Sequence, residues 1–268
     1  MSPPSGSFIE IQHYSKGQYA EVNGLQMYYE IHGEGYPLVL IHGGGSTINT
    51  SFGRIIPQLA TSHKVIAVEM QAHGHTADIN RPLSFRQDAD DIAALLHHLQ
   101  IGKADIFGFS NGASTTLEFA IRHPDMTNKI VVASTFYKKS GAPDWFWDMM
   151  NHPAFEDMPQ VYKDEFLKIN PDTQALHRMF DRDTARMLSF PEIPDERIAS
   201  ITAPALIIIG EKDVVTPEHA REMNRLITAS KLLILPGGHG EYIGEITSPQ
   251  VPVIIDSTVN IILGFLAE

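Results

Sequence analysis

The stretch Ala104-Asp-Ile-Phe-Gly-Phe-Ser-Asn-Gly-Ala-Ser114 carries the decision about this chain. Its first six residues, Ala104 to Phe109, form an apolar run of strand length. From Ser110 onward the pattern turns helical and stops before His123-Pro124, because proline disfavours helix in the residue that precedes it. Gly108-Phe109-Ser110-Asn111-Gly112 therefore matches G-x-S-x-G at a strand-to-helix junction. A serine on so sharp a turn is held in a strained backbone conformation. The residues two before and two after it crowd each other unless both are small.

Working outward, the same strand-then-helix rhythm recurs. Tyr36 to His42, Lys64 to Glu69 and Lys129 to Ser134 are short apolar runs. Ile92, Leu95, Leu96 and Leu99 repeat at helical spacing, with Asp88, Asp90 and Asp91 in the first turns, where carboxylates suit the helix dipole. After a break, Ala203 to Gly210 and Lys231 to Leu235 read as strands, with helices over about 217–226 and 251–266. Strands apolar throughout and separated by amphipathic helices imply a parallel sheet covered on both faces. The segment from Tyr19 to Glu30, with Asn23-Gly24 between two alternating runs, predicts an antiparallel hairpin. The fold class is thus α/β: a mostly parallel, doubly wound sheet of about eight strands. From 137 to 195 no strand-like run occurs, and both tryptophans, Trp145 and Trp147, lie there. The expected organisation is an N-terminal extension at 1–18, a core made of 19–136 and 196–268, and a helical cap at 137–195.

Composition narrows the function. The 268 residues carry 20 Lys and Arg against 32 Asp and Glu, a formal charge of −12. Such a chain repels phosphate backbones and anionic membranes unless it has a basic patch, and none is evident. Neither nucleic acid nor membrane is therefore an expected partner. The absence of cysteine removes disulfides, thiolate metal sites and cysteine nucleophiles together. No run of 18 apolar residues reads as a membrane span, and the first residues lack a basic region followed by an apolar stretch. A cytoplasmic setting is the expectation. The sequence leaves the oligomeric state open.

A nucleophilic serine needs a base and an acid. Asp213 follows the strand ending at Gly210, and His239 follows the one ending at Leu235, in the loop Pro236-Gly-Gly-His-Gly240. The order Ser110, Asp213, His239 is that of one triad class, and in a parallel sheet all three fall on the same edge. Glu211 is the nearest competing acid. The other histidines have blander readings: His42 and His73 brace loops, and His75, His97, His98, His123, His152, His177 and His219 are expected at the surface. No H-x-x-x-H or H-E-x-x-H spacing points to a metal.

With these residues in order, the chain resembles a cap-bearing α/β-hydrolase over about residues 20–268. His42-Gly-Gly-Gly45 resembles the family's oxyanion-hole loop. By that likeness the backbone N–H groups of Gly44, with Gly45 as second candidate, and of Asn111 would hold a developing oxyanion. Glu69-Met-Gln-Ala-His-Gly-His-Thr76 resembles the turn after the family's fourth strand but departs from it at Glu69, Gln71, Ala72 and Thr76. The resemblance implies a serine hydrolase that acts through an acyl-enzyme on an ester or related carbonyl bond, with no cofactor. Its partner is a small-molecule substrate, small to medium and largely apolar. Gly45, Phe109, Trp145, Phe146, Trp147 and Met149 are the candidate pocket residues. Thioesters, lactones, C–C bonds, N-terminal proline peptides and peracid formation remain open, although no cap carboxylate among Glu156, Asp157 and Glu165 is evidently placed to grip an amine. The reading from another class is a ligand-binding protein on the same scaffold with negligible turnover.

Overall fold

A computed structural model describes residues 17–268. The extension expected at 1–18 thus falls, up to residue 16, outside the described residues. The chain enters through an antiparallel hairpin, β1 (Gln18–Val22) and β2 (Leu25–His32), which is closed by Asn23 and Gly24, both at positive φ (51° and 81°). Two consecutive left-handed residues match the right-handed twist of the flanking strands, and Asn-Gly supplies them at least cost. There follow β3 (Tyr36–Ile41), α1 (Ile48–Phe52), α2 (Ile56–Leu59), β4 (His63–Val68), α3 (Phe85–His98), β5 (Ala104–Phe109), α4 (Asn111–Arg122) and β6 (Thr127–Ala133). The two short helices α1 and α2, of five and four residues, are absent from the sequence reading, being too short for a period to register.

Between β6 and β7 the described chain is helical: α5 (Asp144–Asn151), α6 (Gln160–Ile169), α7 (Thr173–Leu188) and α8 (Asp195–Ala199). It then returns to β7 (Ala205–Gly210), α9 (Pro217–Leu226), β8 (Ser230–Leu235) and α10 (Pro252–Ala267). The eight strands form one sheet in the order β1-β2-β4-β3-β5-β6-β7-β8, parallel from β4 to β8.

The period of two sorts the strand residues between two cores. Val39, Ile41, Ile66, Ile106, Val132 and Ile207 turn to the face covered by α3, α4 and α9. Leu38, Leu40, Ala67, Phe107, Val131 and Ile208 turn to the face covered by α1, α2 and α10. The order reverses at β3: the chain goes first to β4 on one side and then to β5 on the other. A crevice opens outside the carboxyl ends of strands at such a switch point. The loop after β3 and the turn after β5 both end there.

Two glycines separate two physical costs. At Gly24 an added Cβ meets nothing within 4 Å, so Gly24→Ala costs only the left-handed conformation, about 1–2 kcal/mol. At Gly112 the Cβ would lie 2.0 Å from the Ile41 carbonyl oxygen, so Gly112→Ala costs about 3 kcal/mol or more through displaced backbone. Urea unfolding of the two variants should rank them in that order; equal losses would contradict this account.

Candidate active site

Ser110 has φ 54° and ψ −120°, a strained geometry for a residue with a side chain. The turn is tight because β5 and α4 meet almost at contact: a Cβ on Gly108 would lie 2.1 Å from the Gly112 carbonyl oxygen. This is the crowding the motif implies. Ser110 occupies the N-cap of α4, yet its side chain makes no capping bond. Its hydroxyl instead lies 3.0 Å from His239 Nε2.

His239 Nδ1 is 2.7 Å from Asp213 Oδ1. A carboxylate only accepts, so Nδ1 carries the proton and Nε2 is left as the acceptor for the Ser110 hydroxyl. Asp213 is fully buried at its side chain, and other donors share its charge. The Ser134 hydroxyl donates to Oδ2, as does the Gly210 N–H at 3.1 Å, and the Val215 N–H reaches Oδ1 at 3.4 Å. Burial by itself would push the Asp213 carboxyl up, but the His239 charge and these hydrogen bonds hold it below the usual carboxylate range. Burial would likewise push His239 down, and the Asp213 charge and hydrogen bond outweigh it, leaving the imidazole above its ordinary value. Glu211, the competing acid, is exposed and makes no contact with His239.

The loop His42–Gly45 runs beside Ser110: a Cβ on Gly43 would sit 3.3 Å from the Ser110 Cβ. His42 Nδ1–H donates to the Gly43 carbonyl at 2.7 Å, and its Nε2 accepts from the Met70 N–H at 3.1 Å. Burial and the neighbouring His73 lower His42 to about 3, so it stays neutral. The Gly45 N–H, the second candidate donor, is engaged by Asp183 Oδ2 at 2.6 Å. Among the described residues the Gly44 and Asn111 N–H groups have no hydrogen-bond partner. A Cβ on Gly44 would lie 2.3 Å from Asn111 Nδ2, so a side chain there would have to displace the Asn111 amide.

A cavity of about 460 Å³ opens over Ser110 and His239, within the range of small-molecule sites. Its walls are mostly apolar, among them Phe136, Phe146, Met149, Met158, Met187 and Phe190. Of the candidate pocket residues, Gly45, Phe146 and Met149 line it. Phe109, Trp145 and Trp147 do not, and this corrects the sequence reading. Phe109, the last residue of β5, alternates onto the face of the second core and packs beneath His239, ring centroids 4.8 Å apart. On α5 the helical period turns Phe146, Met149 and Met150 to the cavity and leaves Trp145 56% exposed. Trp147 stands behind the wall against Phe136 and Phe190, its indole N–H donating to the Lys139 carbonyl at 2.8 Å. Asp157 also lines the cavity.

Several residues near the site escaped the sequence reading. Ser134 adopts φ 53° at the end of β6 and joins Asp213 to the Tyr242 hydroxyl; a left-handed serine carries no local signal. Tyr162, on α6, donates to the buried Glu245 at 2.7 Å. His219, expected at the surface, is buried, because its Nε2 accepts the Tyr137 N–H at 3.1 Å, and burial lowers it to about 4. Among the described residues no group of three or more His, Asp or Glu is placed to hold a metal ion, and no helix is long and apolar enough to cross a membrane.

Residues 38–249 match the model of the alpha/beta hydrolase family. The human protein "Serine hydrolase BPHL" is 27% identical over 239 residues, which cover 81% of this chain and 77% of that one. A pimeloyl-[acyl-carrier protein] methyl ester esterase of Neisseria meningitidis serogroup B is 27% identical over 219 residues, 73% of this chain and 82% of the esterase. Among solved structures, a serine hydrolase involved in carbazole degradation (CarC enzyme) superposes with a TM-score of 0.77 at 22% identity, over 94% of this chain and 99% of that one. With its eight-stranded sheet, its strained serine after β5 and a family match over most of its length, this chain belongs to the alpha/beta hydrolase family.

Proposed function

We propose that the protein is a serine hydrolase that cleaves an ester or related carbonyl bond of a small to medium, largely apolar substrate through an acyl-enzyme. The observation that carries this reading is the unbroken relay from Ser110 Oγ through His239 to Asp213 at 3.0 and 2.7 Å. His239 Nε2 takes the hydroxyl proton as Oγ attacks the carbonyl, then returns it to the leaving group, whose bond to the acyl carbon breaks. Water repeats the cycle: His239 takes a proton from it, the hydroxide attacks the acyl carbon, and His239 passes that proton to Ser110 Oγ as its bond to the acyl carbon breaks. Asp213 holds the imidazole in the productive tautomer and stabilises the imidazolium. The N–H groups of Gly44 and Asn111 receive the negative charge on the carbonyl oxygen, aided by the positive end of α4. The segment 137–195 acts as a cap, and the apolar side chains it brings over Ser110 select the substrate and exclude water.

A fluorophosphonate probe reports the activated serine without a guess at the substrate. Intact mass should rise by one adduct on the wild type and remain unchanged on folded Ser110→Ala and His239→Ala. On a responsive ester, Ser110→Ala should lose at least roughly 10⁴-fold in kcat. Sustained turnover separates an enzyme from a binding protein that is acylated once. A Ser110→Ala protein that keeps most of its activity would sink the reading.

Catalysis needs His239 neutral. Because its folded-state value lies above the ordinary 6.5 or so, activity is complete at high pH and is lost as pH falls through that raised value. The acid limb of kcat/KM should therefore have its midpoint above about 6.5. A midpoint at or below that figure would mean that Asp213 does not support the imidazolium.

A further inference from the structure

Asp183 is the charged residue nearest the glycine loop, yet the relay does not use it. It is carried on α7, 138 positions away in sequence from the glycine whose N–H it holds. Its Oδ2 accepts from the Gly45 N–H at 2.6 Å and from His73 Nε2 at 2.9 Å, while its Oδ1 accepts from Arg186. Arg186 also donates to Asp88 at 2.9 Å, and His73 Nδ1 faces the Gln71 carbonyl at 2.9 Å. Resting on the reading of Ser110 as nucleophile and of Gly44 as an oxyanion donor, we propose that Asp183 is a positioning residue of the hydrolytic centre: by gripping the Gly45 N–H it orients the glycine loop so that the Gly44 N–H faces the oxyanion, and this half of the oxyanion site is complete only while α7 is seated.

The loop is held from two sides by groups of opposite sense. His42 holds the Gly43 carbonyl from the sheet side, and Asp183 holds the Gly45 N–H from the α7 side. Gly44 stands between them. Gly45 is at φ 64°, a conformation reached with little intrinsic preference and therefore one that needs an external anchor. A bond to an ionised acceptor supplies a stronger anchor than a neutral one. Burial pushes the Asp183 carboxyl up, but the Arg186 and His73 charges reverse this and hold it far below the usual carboxylate range, so the anchor stays charged. If packing of α7 were the only requirement, an apolar contact would serve, and no buried charge would need two cations to sustain it.

Kinetics of Asp183→Asn beside Ser110→Ala provide one arm of the test. Asp183→Asn should lower kcat by roughly 10²-fold, the scale of a small misplacement of a reacting group, with KM changed less than threefold. Its affinity for a trifluoromethyl ketone, which needs the oxyanion site, should fall by the same factor as kcat/KM. An unchanged kcat with a raised KM would overturn the inference and make Asp183, which lines the cavity, a substrate contact instead. If Ser110→Ala kept turnover, the reading of the site itself would fail instead, so the two failures are distinguishable. Wild-type protein supplies the second arm, which does not depend on the variant folding. Three glycines follow a glycine, Gly44, Gly45 and Gly238, so labelling with carbonyl-¹³C and amide-¹⁵N glycine isolates three amide signals. Gly45 and Gly238, each bonded to a carboxylate (Gly238 to Glu241 at 2.8 Å), should exchange slowly. Gly44 should exchange fast and be the one that slows when the ketone binds. A fast-exchanging Gly45, or a Gly44 that ignores the ketone, would overturn it.

Discussion

The rest of the site depends on how closely α4 approaches the ends of β3 and β5. Gly112, in the first turn of α4, lies so near the Ile41 carbonyl that a single added carbon would meet it at 2.0 Å. Gly108 at the end of β5 is equally tight against Gly112. With both positions reduced to backbone, the chain reverses within one residue. That residue, Ser110, takes the strain at φ 54°. The strain has a use. It lifts the hydroxyl out of the capping role that an N-cap serine ordinarily fills and turns it toward the loop after β8. It also places the start of α4 beside the glycine loop that follows β3.

The two buried carboxylates around this turn are held ionised by different means, and the difference suits their positions. Asp213 draws on hydrogen-bond donors: the Ser134 hydroxyl, two backbone N–H groups and the His239 ring. Its one charged partner is a ring that gains and loses its proton, so its own charge has to be stabilised through both states. Asp183 instead draws on cations, Arg186 and His73, with a single backbone N–H facing the site. Neither carboxylate is left alone in a low dielectric, where an unpaired charge costs several kcal/mol. Asp88 completes the second cluster at one remove. Burial, with the charges of Asp91 and Asp183 nearby, raises it to about 6 against the Arg186 charge that it shares with Asp183.

Much of the fold was legible because it is written in local periods. Apolar runs at β3 to β8, the Asn23-Gly24 turn and the spacing of Ile92, Leu95, Leu96 and Leu99 each carry their own signal. The parallel sheet follows from their alternation. Ser110, Asp213 and His239 were legible for a related reason. Each follows a strand, and a parallel sheet brings the ends of its strands to one edge, so chain order alone predicts the meeting. The side-chain orientation within the helical segment was not legible in the same way. Trp145 and Trp147 look like pocket residues by composition. Which flank of α5 faces inward is set by where Phe136 and Phe190 already stand.

The least legible feature is the one that ties the helical segment to the chemistry. Nothing near Gly45 announces that its N–H will be taken by a carboxylate on α7, and nothing near Asp183 distinguishes it from the other acids of a chain with 32 of them. The bond exists because three separate segments (the glycine loop, the turn carrying His73, and α7) converge on one point. The same convergence recurs across the cavity, where Tyr162 of α6 reaches Glu245 in the segment that follows His239. Both ties join the helices over Ser110 to backbone that flanks the Ser110–His239–Asp213 relay, one near the glycine loop and one near the histidine loop. A segment attached at those two points cannot shift without disturbing the residues it covers. Variation in the cavity wall at Phe146 or Met149 would therefore reshape the cavity without loosening the segment, because these side chains make apolar contacts alone. It is restricted at Asp183 and Tyr162, whose polar atoms bind the segment to the loops beside Ser110 and His239.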